Sequence, residues 1–178
     1  MDDEHDRPPE EQLESRAPTE VDLVALCSRL NELGAKYVVV GGFAIIHAGL
    51  PRTTIDLDLV ICTEPANEER VFEALRILPD QAVNELQSGE VDQYTVVRVA
   101  DEIVVDLMKA AGGIDYAEAA SEIVIREIQG VAIPFASPTL LWKMKRLTYR
   151  EKDAGDLLFL RKYFEARGEL PPGESGVV

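Results

Sequence analysis

The chain has 178 residues, 46% of them hydrophobic and 29% charged, with a formal net charge of −15. That is about one domain's worth of chain with enough apolar content to close a core, which excludes a fully disordered protein. No apolar run reaches the roughly 18 to 20 residues of a membrane helix, and the stretch from Met1 to Glu14 is acidic where a signal peptide carries positive charge.

A cytoplasmic protein without membrane association is therefore expected, and the acidic balance disfavours wrapping nucleic acid over a broad basic face. The charge is uneven. Residues 1–20 hold eight acids and two bases, residues 21–136 nineteen and eight, and residues 137–168 four and eight. Only the last of these segments is cationic. Cys27 and Cys62 have no second Cys or His at zinc-ligand spacing, so neither structural zinc nor a disulfide framework is indicated.

Residues 1–18 are rich in Pro, Glu, Asp and Arg, too polar to offset the entropy of ordering, and are expected to form an acidic leader without a fold. Thr19 stands three residues before Asp22 as a capping-box start, and apolar residues from Val21 to Leu33 recur at helical spacing until Gly34. Lys36 to Val40 is β-branched strand chemistry that stops at Gly41-Gly42, and Phe43 to His47 reads as a short helix. Ile55 to Ile61 alternates Asp56, Asp58 and Val60 with Leu57, Leu59 and Ile61, a second strand.

A helix follows over Pro65 to Leu78, with Pro79 as its stop. Tyr94 to Val99 and Ile103 to Leu107 are spaced for an antiparallel hairpin, and Ile123 to Ile128 with Val131 to Ile133 for an edge pair around Gly130. Ser137-Pro138 opens a basic helical end whose pattern runs to Gly168, and the residues from 169 form a loose tail. The fold class is α/β (α+β), with one domain over residues 19–168.

The chemistry is concentrated between Gly41 and Asp106. Residues two apart on a strand share a face, so Asp56 and Asp58 hold two carboxylates roughly 6 to 7 Å apart at their Cα atoms. If Leu57 and Leu59 face the core, both acids face the open side, where their repulsion calls for cations between them. Mg²⁺ (or Mn²⁺) suits such a site, because it takes oxygen ligands and shares its coordination with a nucleotide's phosphates. Asp106, in an apolar strand where a lone charge is costly, is a candidate third carboxylate. A single acid on a strand is ordinarily a solvated side chain; two facing the same way are a stronger signal. Gly41-Gly42, between a strand and a short helix, lets backbone N–H groups approach a phosphate, although such a pair is more often a simple tight turn.

The combination is strand, Gly41-Gly42, thirteen intervening residues, then Asp56-Leu57-Asp58-Leu59. It resembles the DNA polymerase β-like nucleotidyltransferase superfamily, and positions 38–59 are similar to its small prokaryotic branch, which includes the minimal nucleotidyltransferases and the AbiEii-type toxins. The resemblance covers residues 36–61, Asp106 and, more loosely, Leu140 to Asp156.

It implies a nucleotidyltransferase fold and transfer of a nucleoside monophosphate from an NTP to a hydroxyl acceptor with loss of pyrophosphate. Asp56, Asp58 and Asp106 would be the catalytic and metal-binding acids, and Gly41 and Gly42 would seat the triphosphate. Arg52, just ahead of the acidic strand, would pair with the carboxylates or the triphosphate, or is a surface arginine in a loop. From the basic end Lys143 is the expected phosphate contact. His47, Thr53 and Thr54 are read as packing and backbone residues. The acceptor is a tRNA end, a protein or a small molecule, and an antitoxin protein is a further expected partner. The alternative is a non-catalytic nucleotide- or partner-binding module of the same fold.

Overall fold

In the computed structural model the described residues are 14–148 and 150–175. Helix α1 (Glu20–Glu32) starts where Thr19 N–H donates to Asp22 Oδ2 at 2.7 Å and ends at Gly34, whose φ of +66° turns the chain into β1 (Tyr37–Val40). Every residue of β1 is buried, as expected for a strand covered on both faces.

Helix α2 (Gly41–Ala48) follows without a loop, so the glycine pair forms its first turn and the helix starts two residues before the expected Phe43. Strand β2 (Asp56–Ile61) and α3 (Pro65–Leu75) come next, then the single turn α4 (Glu90–Gln93). The apolar pattern of α3 continues to Leu78, but the chain tightens beyond Leu75, where Leu78 N–H bonds the carbonyl of Leu75 at 3.1 Å ahead of Pro79.

Strands β3 (Val97–Ala100) and β4 (Val104–Met108) form the expected hairpin. The small hairpin β5 (Ala110–Ala111) and β6 (Ile114–Asp115) and the turn α5 (Tyr116–Ala119) precede β7 (Ile123–Ile128) and β8 (Val131–Ala136). Helices α6 (Pro138–Lys145) and α7 (Ala154–Glu165) complete the order. The basic end is therefore two helices with a corner between them. β5, β6 and α5 carry too few residues to show a period.

The sheet order is β3-β4-β2-β1-β8-β7. β1 runs antiparallel to β2 and parallel to β8, β2 is parallel to β4, and the hairpins β3/β4 and β7/β8 are antiparallel. Mixed α/β architecture is thus confirmed. β8 is drawn inward beside β1, leaving β7 as the edge; the expected edge pair has one edge strand. Helices α1 and α3 pack on each other, α1 also covers β8, and α2 bridges β1, β2 and α6.

Most of the expected leader, residues 1–13, lies outside the described residues. Its end is anchored: Arg16 bridges to Ile103 beside β4, its N–H donating to Glu102 O at 2.9 Å, and its guanidinium grips Asp22 with two bonds of 2.7 and 2.8 Å. These bonds from Arg16 hold the Asp22 carboxyl well below the usual carboxylate range. The tail expected to be loose is held as far as Glu174, and its residues 176–178 lie outside the described residues. Pro172 O accepts bonds from Trp142 Nε1 and Arg146 Nη1, both 3.1 Å, and Glu174 pairs with Arg161. Among the described residues no helix is long and apolar enough to cross a membrane.

Candidate active site

The register of three strands builds the acidic centre. Asp58 on β2 lies beside Asp106 on β4, Arg98 on β3 lies on the other side of Asp106, and Val40, the last residue of β1, pairs with Asp58. Side chains in one cross-strand row share a face. Leu57 and Leu59 are fully buried in the core, so Asp56 and Asp58 are turned to the opposite face, as expected.

One oxygen from each of Asp56, Asp58 and Asp106 lies within 4.8 Å of the others. Taking Asp58 out of water, with Asp56 and Asp106 close by, raises its carboxyl to about 7. A set of hard oxygen donors whose charges repel each other fits a divalent cation such as Mg²⁺ or Mn²⁺.

Gly41 closes over this centre. A Cβ at Gly41 would lie 2.1 Å from Asp58 Oδ2, and the φ of +62° itself favours glycine. A Cβ at Gly42 would meet Thr54 Oγ1 at 2.3 Å. The two glycines therefore let the first turn of α2, with its unpaired N–H groups, pass directly over the loop and strand that carry the acids.

Acids and glycines open into a cleft of about 840 Å³. Its far wall is the corner between α6 and α7. Leu141, Met144, Lys145 and Thr148 line it at helical spacing, followed by Arg150, Lys152 and Asp153. Lys145 is nearly buried, its Nζ 2.7 Å from Asp153 Oδ1 and 3.1 Å from Asp156 Oδ2. Burial pushes the Asp153 carboxyl up, but bonds from Lys145, Thr148 and Arg150 outweigh it and hold the group below its ordinary value.

The structure brings Asp56, Asp58, Asp106, Gly41, Gly42 and Arg52 to one cleft. Arg52 pairs there with Asp156, at 2.9 Å from Nε and 3.0 Å from Nη2, rather than with the acids of the sheet. Lys143 is not at the cleft: it lies on the side of α6 turned away from Leu141 and Lys145, and its Nζ pairs with Glu122. Lys145 stands in its place. The signal for Lys145 was its spacing of four from Leu141, which puts it on that apolar face. His47 is away from the cleft, its ring 4.5 Å from that of Phe135, and burial lowers its pKa.

Arg98, which no sequence motif singles out, also lines the cleft. Its guanidinium makes a fork on Asp106, Nε to Oδ1 at 2.8 Å and Nη2 to Oδ2 at 2.7 Å, and Nη2 lies 3.5 Å from Asp56 Oδ2. The available signal was alternation in Val97-Arg98-Val99, which turns the charge to the face opposite the buried valines.

No protein-family model matches the sequence, and no curated protein is significantly similar to it. Among solved structures, a candidate nucleotidyltransferase from Thermotoga maritima is similar at 20% identity and a TM-score of 0.46, over 87% of this chain and 94% of that one. An antigenic nucleotidyltransferase-like protein from Paracoccidioides brasiliensis is similar at 18% identity and a TM-score of 0.45, over 79% of this chain and 74% of that one.

Proposed function

We propose that the protein is a metal-dependent nucleotidyltransferase that moves an NMP group from an NTP to a hydroxyl acceptor. The observation that carries this reading is the convergence of three carboxylates, from two neighbouring strands, beneath a glycine turn that approaches Asp58 too closely for any side chain. Asp56, Asp58 and Asp106 would hold Mg²⁺ or Mn²⁺, which when bound screens the phosphates, acidifies a hydroxyl and stabilises a leaving oxygen.

The chain's own residues supply position and charge. Gly41 and Gly42 admit the triphosphate to the start of α2, while Lys145, Arg150 and Lys152 form a cationic wall across the cleft. As the acceptor oxygen bonds to the α-phosphorus, the bond from that phosphorus to the α–β bridging oxygen breaks. Pyrophosphate leaves with the electron pair, and the hydroxyl proton passes to a carboxylate, for which Asp106 is our assignment. The acidic exterior makes a long nucleic-acid tract the least suitable acceptor, leaving a tRNA end, a protein hydroxyl or a small hydroxylated molecule.

Incubation with each α-labelled NTP and Mg²⁺ or Mn²⁺, against total tRNA, lysate protein and small acceptors, identifies the acceptor by what becomes labelled. Asp56→Asn and Asp58→Asn should each lower transfer at least about a hundredfold with unchanged far-UV circular dichroism. Undiminished transfer in both variants would reject the reading. NTP binding by calorimetry with no labelled product from any acceptor would assign a nucleotide-binding module instead.

A further inference from the structure

Arg98 lies on the edge strand β3, and its side chain is 56% exposed, yet its guanidinium is committed to both oxygens of the nearly buried Asp106. The same Nη2 reaches Asp56 Oδ2 at 3.5 Å. One nitrogen thus stands between two of the three donors that converge in the centre. A divalent ion on those oxygens and a guanidinium between them repel each other in a half-buried cleft, where the interaction is screened far less than in water. They cannot both hold the space between Asp56 and Asp106.

A phosphate in the cleft offers the guanidinium an alternative partner of matching fork geometry. Arg98 is itself a lining residue of that cleft, and the long, half-exposed side chain on an edge strand has room to turn. We propose that Arg98 is an internal counter-ion that competes with divalent metal for Asp56 and Asp106 and passes to a phosphate of the incoming nucleotide, so that metal and nucleotide bind with positive coupling. The proposal rests on the reading of these acids as a metal site and adds the order in which the site fills. Metal alone binds against the guanidinium; nucleotide takes the guanidinium away and the metal then binds tightly.

The test is Mn²⁺ binding to the full chain, by calorimetry and by the Mn²⁺ electron paramagnetic resonance signal, with and without a non-hydrolysable NTP analogue. The Asp58→Asn chain serves as the blank for metal carried by free nucleotide. Wild type should bind Mn²⁺ alone weakly and about tenfold more tightly with the analogue. Arg98→Met should bind Mn²⁺ alone about tenfold more tightly than wild type and lose most of that enhancement, with Arg98→Lys between the two.

A residue that only braced Asp106 would, when removed, weaken metal binding, so the sign of the change separates the roles. Equal or weaker Mn²⁺ binding by Arg98→Met overturns the proposal and leaves the metal site standing. No Mn²⁺ bound by wild type or by either Arg98 variant, with or without the analogue, overturns both. The nucleotide dependence of the wild-type chain is read without any substitution, and its absence also overturns the proposal.

Discussion

Asp58 is the acid whose environment most opposes its charge. Desolvation is the largest cause, followed by Asp56 and Asp106, and together they raise the carboxyl from 3.8 to about 7. The sign of the consequence is fixed by linkage. Between those two values the folded protein holds a proton that the unfolded chain has released, so stability falls as pH rises from about 4 to about 7 and is level above that. Asp58→Asn removes this titration. Without divalent ion, urea denaturation of the variant should gain about 1 to 2 kcal/mol relative to wild type on going from pH 4 to pH 8, less than the full shift implies because solvent screens part of it. A difference between the two chains that does not change with pH would show that Asp58 ionises freely. At this scale spacing placed two acids on one strand face and a glycine pair ahead of them, and the structure has both there, while the roles given to the glycines come from the resemblance and not from spacing. Arg98 was not legible in the sequence, because its role depends on β3 lying beside β4 in a register that sets it against Asp106.

At the scale of elements, periodicity located the helices and strands that are long enough to show it, such as α1, β2 and the β3/β4 hairpin, and missed those that are not, such as β5 and β6. The basic end shows the limit most clearly. Apolar residues recur over Leu140 to Leu147 and again over Leu157 to Phe164, as in one continuing helix, yet the chain bends between them, and a charged network spans the bend beside the apolar contacts of the two helices. Lys145, Asp153 and Asp156 are almost wholly buried, and Arg52 and Arg150 complete their pairing from the rim. Removing one partner of a buried pair costs more than the pair contributes, because the other charge is left without compensation. Lys145→Met should therefore destabilise the protein by about 2 to 4 kcal/mol in urea denaturation, Arg52 and Arg150 limiting the loss. Adding Asp153→Asn to Lys145→Met should recover part of it. Asp153, held below its ordinary pKa in the folded state, contributes stability that is present above about pH 4 and lost as pH falls through its folded value, and Lys145→Met should flatten that acid limb. A loss under about 1 kcal/mol would mean that packing alone sets the corner.

Net charge was readable from the sequence, but its arrangement around the cleft is a property of the whole molecule. The chain carries −15, while Arg52, Arg98, Lys145, Arg150 and Lys152 all face one concavity. Four of these five pair with acids, and Lys152 has no ion pair with the described residues, so the cationic character of the cleft is local and partly neutralised. An anionic nucleotide therefore meets a repelling exterior before it reaches an attracting wall. Which field it feels depends on ionic strength: the screening length is about 30 Å at 0.01 M salt, larger than the molecule's radius of gyration of roughly 16 Å, and about 8 Å at 0.15 M. At low salt the whole charge opposes approach, and near physiological salt only the cleft wall is felt. The association rate of a fluorescent NTP analogue, followed by stopped flow, should therefore rise by a few-fold between about 0.01 and 0.15 M salt, opposite to the fall expected for steering by a basic surface. Lys152→Ala should lower the rate near physiological salt and change it less at low salt, where the exterior field dominates. A rate that falls steadily with salt would show that the cleft governs the field at every distance, and would remove the objection to a longer anionic acceptor.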